Sequence, residues 1–124
     1  MLNSIVVALG GALGSLLRYL VGLIPVSEQF LFPIKTFLIN IGGSLLIGLV
    51  AALSIKANMS PKVILFLKVG ICGGFTTYST FALETSTLLK SGHFMVALLY
   101  VLLSLALGVG VIFGVEWLTL HFYK

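Results

Sequence analysis

Three groups of polar residues lie inside otherwise apolar stretches and could do chemistry there. Thr36, Asn40 and Ser44 follow one another at i, i+4 and i+8, which is one stripe down a helix face. Tyr100, Ser104 and Gly108 repeat that spacing, and Thr76-Thr77-Tyr78-Ser79-Thr80 form the densest polar run in the chain. The inventory is hydroxyls and one carboxamide, that is, neutral donors. A cation path would want carboxylates or rings of carbonyls. O–H and N–H donors beside aromatic ring edges, which carry partial positive charge, suit a small and strongly hydrogen-bond-accepting anion. Carbonyls of a broken helix could hold one cation nearby. A lone Ser or Thr in a span ordinarily bonds its own i−4 carbonyl, and Asn40 could equally be glue between helices. Alignment of polar residues on three spans argues for a polar pathway. No catalytic nucleophile, base or metal-hydrolysis site is visible, so an enzyme is not expected.

The elements that must position these groups are membrane spans. The chain has 124 residues, 60% hydrophobic and 8% charged, against about 25% charged for a soluble domain. Four spans of about 20 residues consume roughly 80 and leave too little for a separate soluble domain. The chain reads as one all-α membrane domain over 1–124, with spans at about 3–24, 36–55, 63–89 and 94–117. The apolar runs are continuous, unlike the alternating segments of about ten residues in a β-barrel. Gly73-Gly74 followed by three threonines within five residues makes a poor helix, so the third span should break near the midplane, around 73–77. Such backbone is tolerated at that depth only when buried in protein or lining a wet cavity.

Small residues recur at four-residue spacing, in Gly10/Gly14, Ser44/Gly48, Gly70/Gly74 and Gly110/Gly114, a pattern that lets helices approach closely in lipid. The net charge of +4 is spread over span ends and forms no basic stripe, which excludes nucleic acid as a partner. Lys56, Lys62, Lys68 and Lys124 fall toward one side and Arg18, Lys35 and Lys90 toward the other. Four against three is almost no bias under the positive-inside rule, so the chain is expected to insert both ways and to pair antiparallel with itself. Arg18 would cost about 2.5–3.5 kcal/mol at mid-span, and reads first as an anchor. Glu84 and Glu116 sit toward span ends, where charge is cheap.

Gly10-Gly11-Ala12-Leu13-Gly14 leading to Arg18-Tyr19, Asn40 with Gly42-Gly43-Ser44, and Gly70-Ile71-Cys72-Gly73-Gly74-Phe75-Thr76-Thr77-Tyr78-Ser79-Thr80-Phe81 resemble the Fluc/CrcB fluoride channel family. The resemblance covers essentially the whole chain. It implies a passive fluoride exporter in the bacterial cytoplasmic membrane that protects against fluoride toxicity, built as an antiparallel dual-topology homodimer with two pores. By the same match, Asn40 would donate its amide to the ion, while Tyr78 and Phe81 would occupy the family's phenylalanine box. Ser79 and Thr80 match its polar track, and Tyr100 and Ser104 match fourth-span positions near the pore. Gly73 and Thr76 match the backbone carbonyls that hold a central sodium ion, and Arg18 and Glu84 match charged positions near the pore mouths. The sequence departs from the pattern at Tyr78, where phenylalanine is usual.

Two other readings stay open on the residues alone. A proton-coupled exporter of organic cations, of the small multidrug type, would need a carboxylate in the first span, which offers only Arg18. A non-transporting assembly subunit would have no use for aligned polar stripes.

Overall fold

The computed structural model describes residues 1–122; Lys124, counted in the charge balance, lies outside them. All regular structure among the described residues is helical, and four helical segments are long and apolar enough to cross a membrane. Helix α1 spans Leu2–Gly22 and α2 spans Ile34–Lys56. The third span is composite: α3 (Pro61–Ile64), a π-helical stretch (Leu65–Cys72), α4 (Gly73–Phe75), and, after two extended residues, α5 (Tyr78–Lys90). Helix α6 spans Phe94–Phe122.

The helix ends follow local chemistry. Pro25 cannot continue α1, and Lys35 Nζ donates to the unsatisfied Gly22 carbonyl at 2.8 Å. Ser60 caps α3, its Oγ accepting from Val63 N at 3.4 Å, with Pro61 at the first helical position. At the end of α5, Gly92 adopts φ +80°. Its N–H donates to Leu89 O at 3.1 Å and that of His93 to Leu88 O at 2.9 Å. This Schellman turn needs glycine at the left-handed position, and it sends α6 back beside α5. Helix α6 runs past its expected end at 117, because Leu118 and Leu120 keep the segment apolar and Trp117 stacks on His121 at 5.1 Å.

The spans form two close pairs, α2 with α6, and α1 with the first half of the third span; α5 then leans on α6. Helix α2 is the central element, its apolar window being 28% buried against 11% for α1 and for α6. The pairing of α1 rests on glycine. A Cβ on Gly10 would lie 2.6 Å from Phe66 O and 2.9 Å from Gly70 Cα, and one on Gly14 would strike Ile71 O. A Cβ on Gly74 would strike Gly11 O. Backbone thus lies on backbone, the close approach that small-residue spacing provides in lipid. Gly48 packs similarly on the Ile112 backbone, whereas Gly110 and Gly114 meet nothing within 4 Å.

The break is narrower than the sequence pattern indicated. Gly73 and Gly74 are helical, Gly74 lying directly on the α1 backbone, and only Thr76 (ψ 156°) and Thr77 (φ −148°, ψ 108°) are extended. The π-helical stretch carries no sequence signal that we recognise.

Candidate functional site

Asn40, in the second turn of α2, closes the break. Its Oδ1 accepts from Thr77 N at 2.9 Å, and its Nδ2 donates to Thr77 O at 3.3 Å. One side-chain amide thereby imitates the two-bond exchange of paired strands and satisfies both backbone groups of the extended residue. Thr77 also caps α5: its Oγ1 accepts from Thr80 N at 3.2 Å and donates to Thr80 Oγ1 at 2.9 Å. Thr76 donates to Cys72 O at 2.8 Å, and its methyl occupies the place a side chain on Gly43 would need.

Two carbonyls are released as a result. In an uninterrupted helix, Gly73 O would accept from Thr77 N and Thr76 O from Thr80 N. Those N–H groups are instead bound to Asn40 Oδ1 and Thr77 Oγ1, and Gly73 has open space beside it. Two unspent carbonyl oxygens at a broken helix are the donor chemistry a hard cation such as sodium prefers, so the residues present fit such an ion.

Beside the break lies a cleft of about 440 Å³ lined by Asn40, Ser44, Lys68, Tyr78, Phe81 and Ser104, among others, with Gly73 and Thr76 also on its wall. No Asp or Glu lines it. Ser104 Oγ is enclosed yet has no partner among the described residues. Asn40 spends one of its two N–H donors on Thr77. Tyr78 is 81% exposed on this single chain.

Phe81 forms the floor. Its ring lies 6.1 Å from Tyr78 and 5.0 Å from Tyr100, which is fully buried at 0% exposure. Tyr100 OH donates to Glu84 Oε2 at 2.7 Å, and Thr36 Oγ1 donates to Glu84 Oε1 at 2.8 Å. Beyond them a second cavity of about 240 Å³ is lined by Ser27, Phe30, Phe32, Lys35 and Glu84, among others. The two cavities are separated by the rings of Phe81, Tyr100 and Phe32, the last lying 5.4 Å from Tyr100.

Six of the residues given a site role by the family resemblance line one cleft, Asn40, Gly73, Thr76, Tyr78, Phe81 and Ser104, and Ser44 of the α2 stripe lines it too. Thr80 is held by Thr77, and Ser79 is exposed with its Oγ 3.4 Å from Thr77 Oγ1. Tyr100 sits behind Phe81. Glu84 is not a free charge at a span end, because two hydroxyls donate to it inside the bundle. Arg18 lies one turn beyond Gly14 and lines neither cavity. The sequence reading named Thr36 and Thr77 only as members of polar groups, and gave Lys68 no role in the site. The i, i+4 stripe carried Thr36, a threonine just before a helical run marked Thr77 as a cap, and Lys68 was a charge inside a span.

A family model described as "CrcB-like protein, Camphor Resistance (CrcB)" matches residues 5–115. The chain belongs to the CrcB family. Similar proteins include one of Thermus thermophilus, 50% identical over 105 residues (84% of each chain), and one of Hyphomonas neptunium, 46% identical over 117 residues (92% of each). A third, of Flavobacterium psychrophilum, is 49% identical over 104 residues, covering 82% of this chain and 84% of the relative. All three are named "Fluoride-specific ion channel FluC". With its four apolar spans and bacterial relatives, this family member is a multi-pass bacterial membrane protein.

Proposed function

We propose that this CrcB-family chain is a passive fluoride-selective channel that lets fluoride leave the cell across the cytoplasmic membrane. The observation that carries this reading is the cleft at the helix break, which offers unspent neutral donors from Asn40 and Ser104 and no carboxylate. The names of the relatives supply the ion. Fluoride holds its water tightly, so a pore must replace that shell with donors and yet bind weakly enough to release the ion. The Phe81 edge and the hydroxyls of Ser79, Thr80 and Ser104 fill that role, with Tyr100 closing the far wall. Because fluoride enters as neutral HF and is trapped as the ion in a less acidic cytoplasm, an open selective pore is protective without any coupled energy source.

The functional unit we propose is an antiparallel homodimer. Gly73, Tyr78 and Ser79 are exposed on the single chain, an arrangement unfavourable against lipid but suited to cover by a second copy. The near-even charge balance supports insertion in both directions. In that dimer the Gly73 and Thr76 carbonyls of both copies would hold a central sodium ion. When bound, sodium supplies a fixed positive charge that offsets part of the cost of desolvating an anion.

The test is purified protein in liposomes, with fluoride efflux followed by electrode under a potassium shunt. Efflux of fluoride but not chloride, insensitive to a pH gradient, supports the channel. Proton-coupled uptake of organic cations would establish an exporter instead, and silence from folded dimer a non-transporting subunit. Phe81→Ile is expected to abolish flux in protein that still elutes as the wild type does; unchanged efflux removes the ring edge from the mechanism.

A further inference from the structure

We propose that Lys68 is the anion-collecting residue of the cleft, drawing fluoride from bulk water toward Asn40 and Ser104 by its field. The proposal rests on the channel reading above. Lys68 lies well inside the third span, within the π-helical stretch Leu65–Cys72, and lines the same cleft as Asn40, Ser44 and Ser104. It is exposed, and it makes no hydrogen bond or ion pair among the described residues. A charged side chain at such a position is costly in lipid and ordinarily faces a partner or a watered cavity; here the cavity is present and the partner is not. The cleft carries no acid to neutralise the ammonium. The eight-residue π-helical stretch carries the one basic side chain among the described residues on the cleft wall.

The comparison with Lys35 sharpens the assignment. Lys35 lines the second cavity, but its ammonium donates to Gly22 O and is thereby tied to the end of α1. Lys68 has no such structural task. A flexible, hydrated ammonium at an open wall acts as a point charge, raising the local anion concentration without fixing the ion. Its effect should therefore appear as capture, not as maximal throughput, and should be screened by salt.

The experiment uses the full chain in phosphatidylcholine vesicles, with initial fluoride efflux measured in potassium isethionate. Ionic strength is set to about 10 mM, where the Debye length is about 30 Å, and to about 1 M, where it is about 3 Å. Lys68→Gln is expected to lower the low-salt rate roughly three- to tenfold and to match the wild type at high salt. It should raise the fluoride concentration giving half-maximal flux and leave the maximum in place. Lys68→Glu should fall further at low salt, and Lys68→Arg should keep the wild-type salt dependence. A Gln variant unchanged at low salt overturns the proposal, and so does one impaired equally at both ionic strengths, which would mark a packing role. Should the Gln variant not fold, the wild type and Lys68→Arg decide the matter, since flux independent of salt in both overturns it. Wild-type protein that conducts fluoride with no salt dependence defeats only the role of Lys68. Wild-type protein that conducts none defeats the channel reading as well.

Discussion

The two halves of the third span differ in what holds them and in what they offer. Before the break, Pro61–Phe75 is fastened to α1 by backbone contact, with Gly10, Gly14, Gly70 and Gly74 admitting each helix to the other. After it, Tyr78–Lys90 is fastened by side chains: Phe81 against Tyr100, and Glu84 receiving Tyr100 and Thr36. On its α1 face the first half tolerates almost no added atom, while Lys68 and Gly73 on its other side line the cleft. The second half carries the rings and hydroxyls. A single span can hold both because the break separates them, and Asn40 of the central helix fixes their relative position by binding Thr77, one of the two residues that belong to neither. The chain thus places its least forgiving geometry one turn away from its most polar surface.

The comparison breaks most visibly at Gly14. A Val Cβ there would strike Ile71 O and approach Phe75 N at 2.9 Å, and backbone atoms cannot swing aside as a flexible side chain can. Gly14→Val is expected to yield no monodisperse protein on size exclusion in detergent. Gly110→Ala, with nothing within 4 Å, should behave as the wild type. Normal elution of Gly14→Val would show that the first half is not held by the glycine face. Asn40→Ala comes next in size. It strips partners from Thr77 N and Thr77 O, and an unsatisfied buried polar group costs about 1–3 kcal/mol. The expected loss is about 2–4 kcal/mol, read as a lowered midpoint of unfolding in detergent, with flux lost as well. A stable but non-conducting variant would place Asn40 in ion binding and remove it from the fastening of the break.

Much of this contrast was legible in the residues. Four spans and a broken third helix follow from hydropathy and polar spacing, because lipid leaves unpaired polar groups few places to go, whereas the grouping of Tyr78 and Phe81 with Asn40 and Ser104 was implied by the family resemblance. Two features were hidden. Gly73-Gly74 looked like the break and proved helical, Gly74 packed on the α1 backbone and Gly73 open to the cleft, since the same residue type serves a bend and a close helix contact. Glu84 looked peripheral by its distance from a span end. Its hydroxyl partners come from Thr36 and Tyr100, 48 and 16 positions away, and separations of that kind are fixed by packing.

The finest distinction concerns the phenol of Tyr78, the departure from the family's usual phenylalanine. On one chain the ring is 81% exposed and lies 6.1 Å from Phe81, and its hydroxyl has no partner among the described residues. Replacing an exposed, unpartnered hydroxyl changes stability by less than about 0.5 kcal/mol. Tyr78→Phe keeps the ring and its edge, so if the second half acts through ring edges, fluoride efflux in liposomes should be equal to the wild-type rate or modestly faster. The phenol can matter only through a donor bond that the single chain does not make, either to the ion or across to a second copy. A dead Tyr78→Phe channel would therefore identify such a bond. Recovery of dimer on size exclusion would assign it to the ion, and loss of dimer would assign it to the neighbouring copy. Either result would move Tyr78 from the ring edges to the hydrogen-bond donors, and the polar surface of the second half would then begin at its first residue.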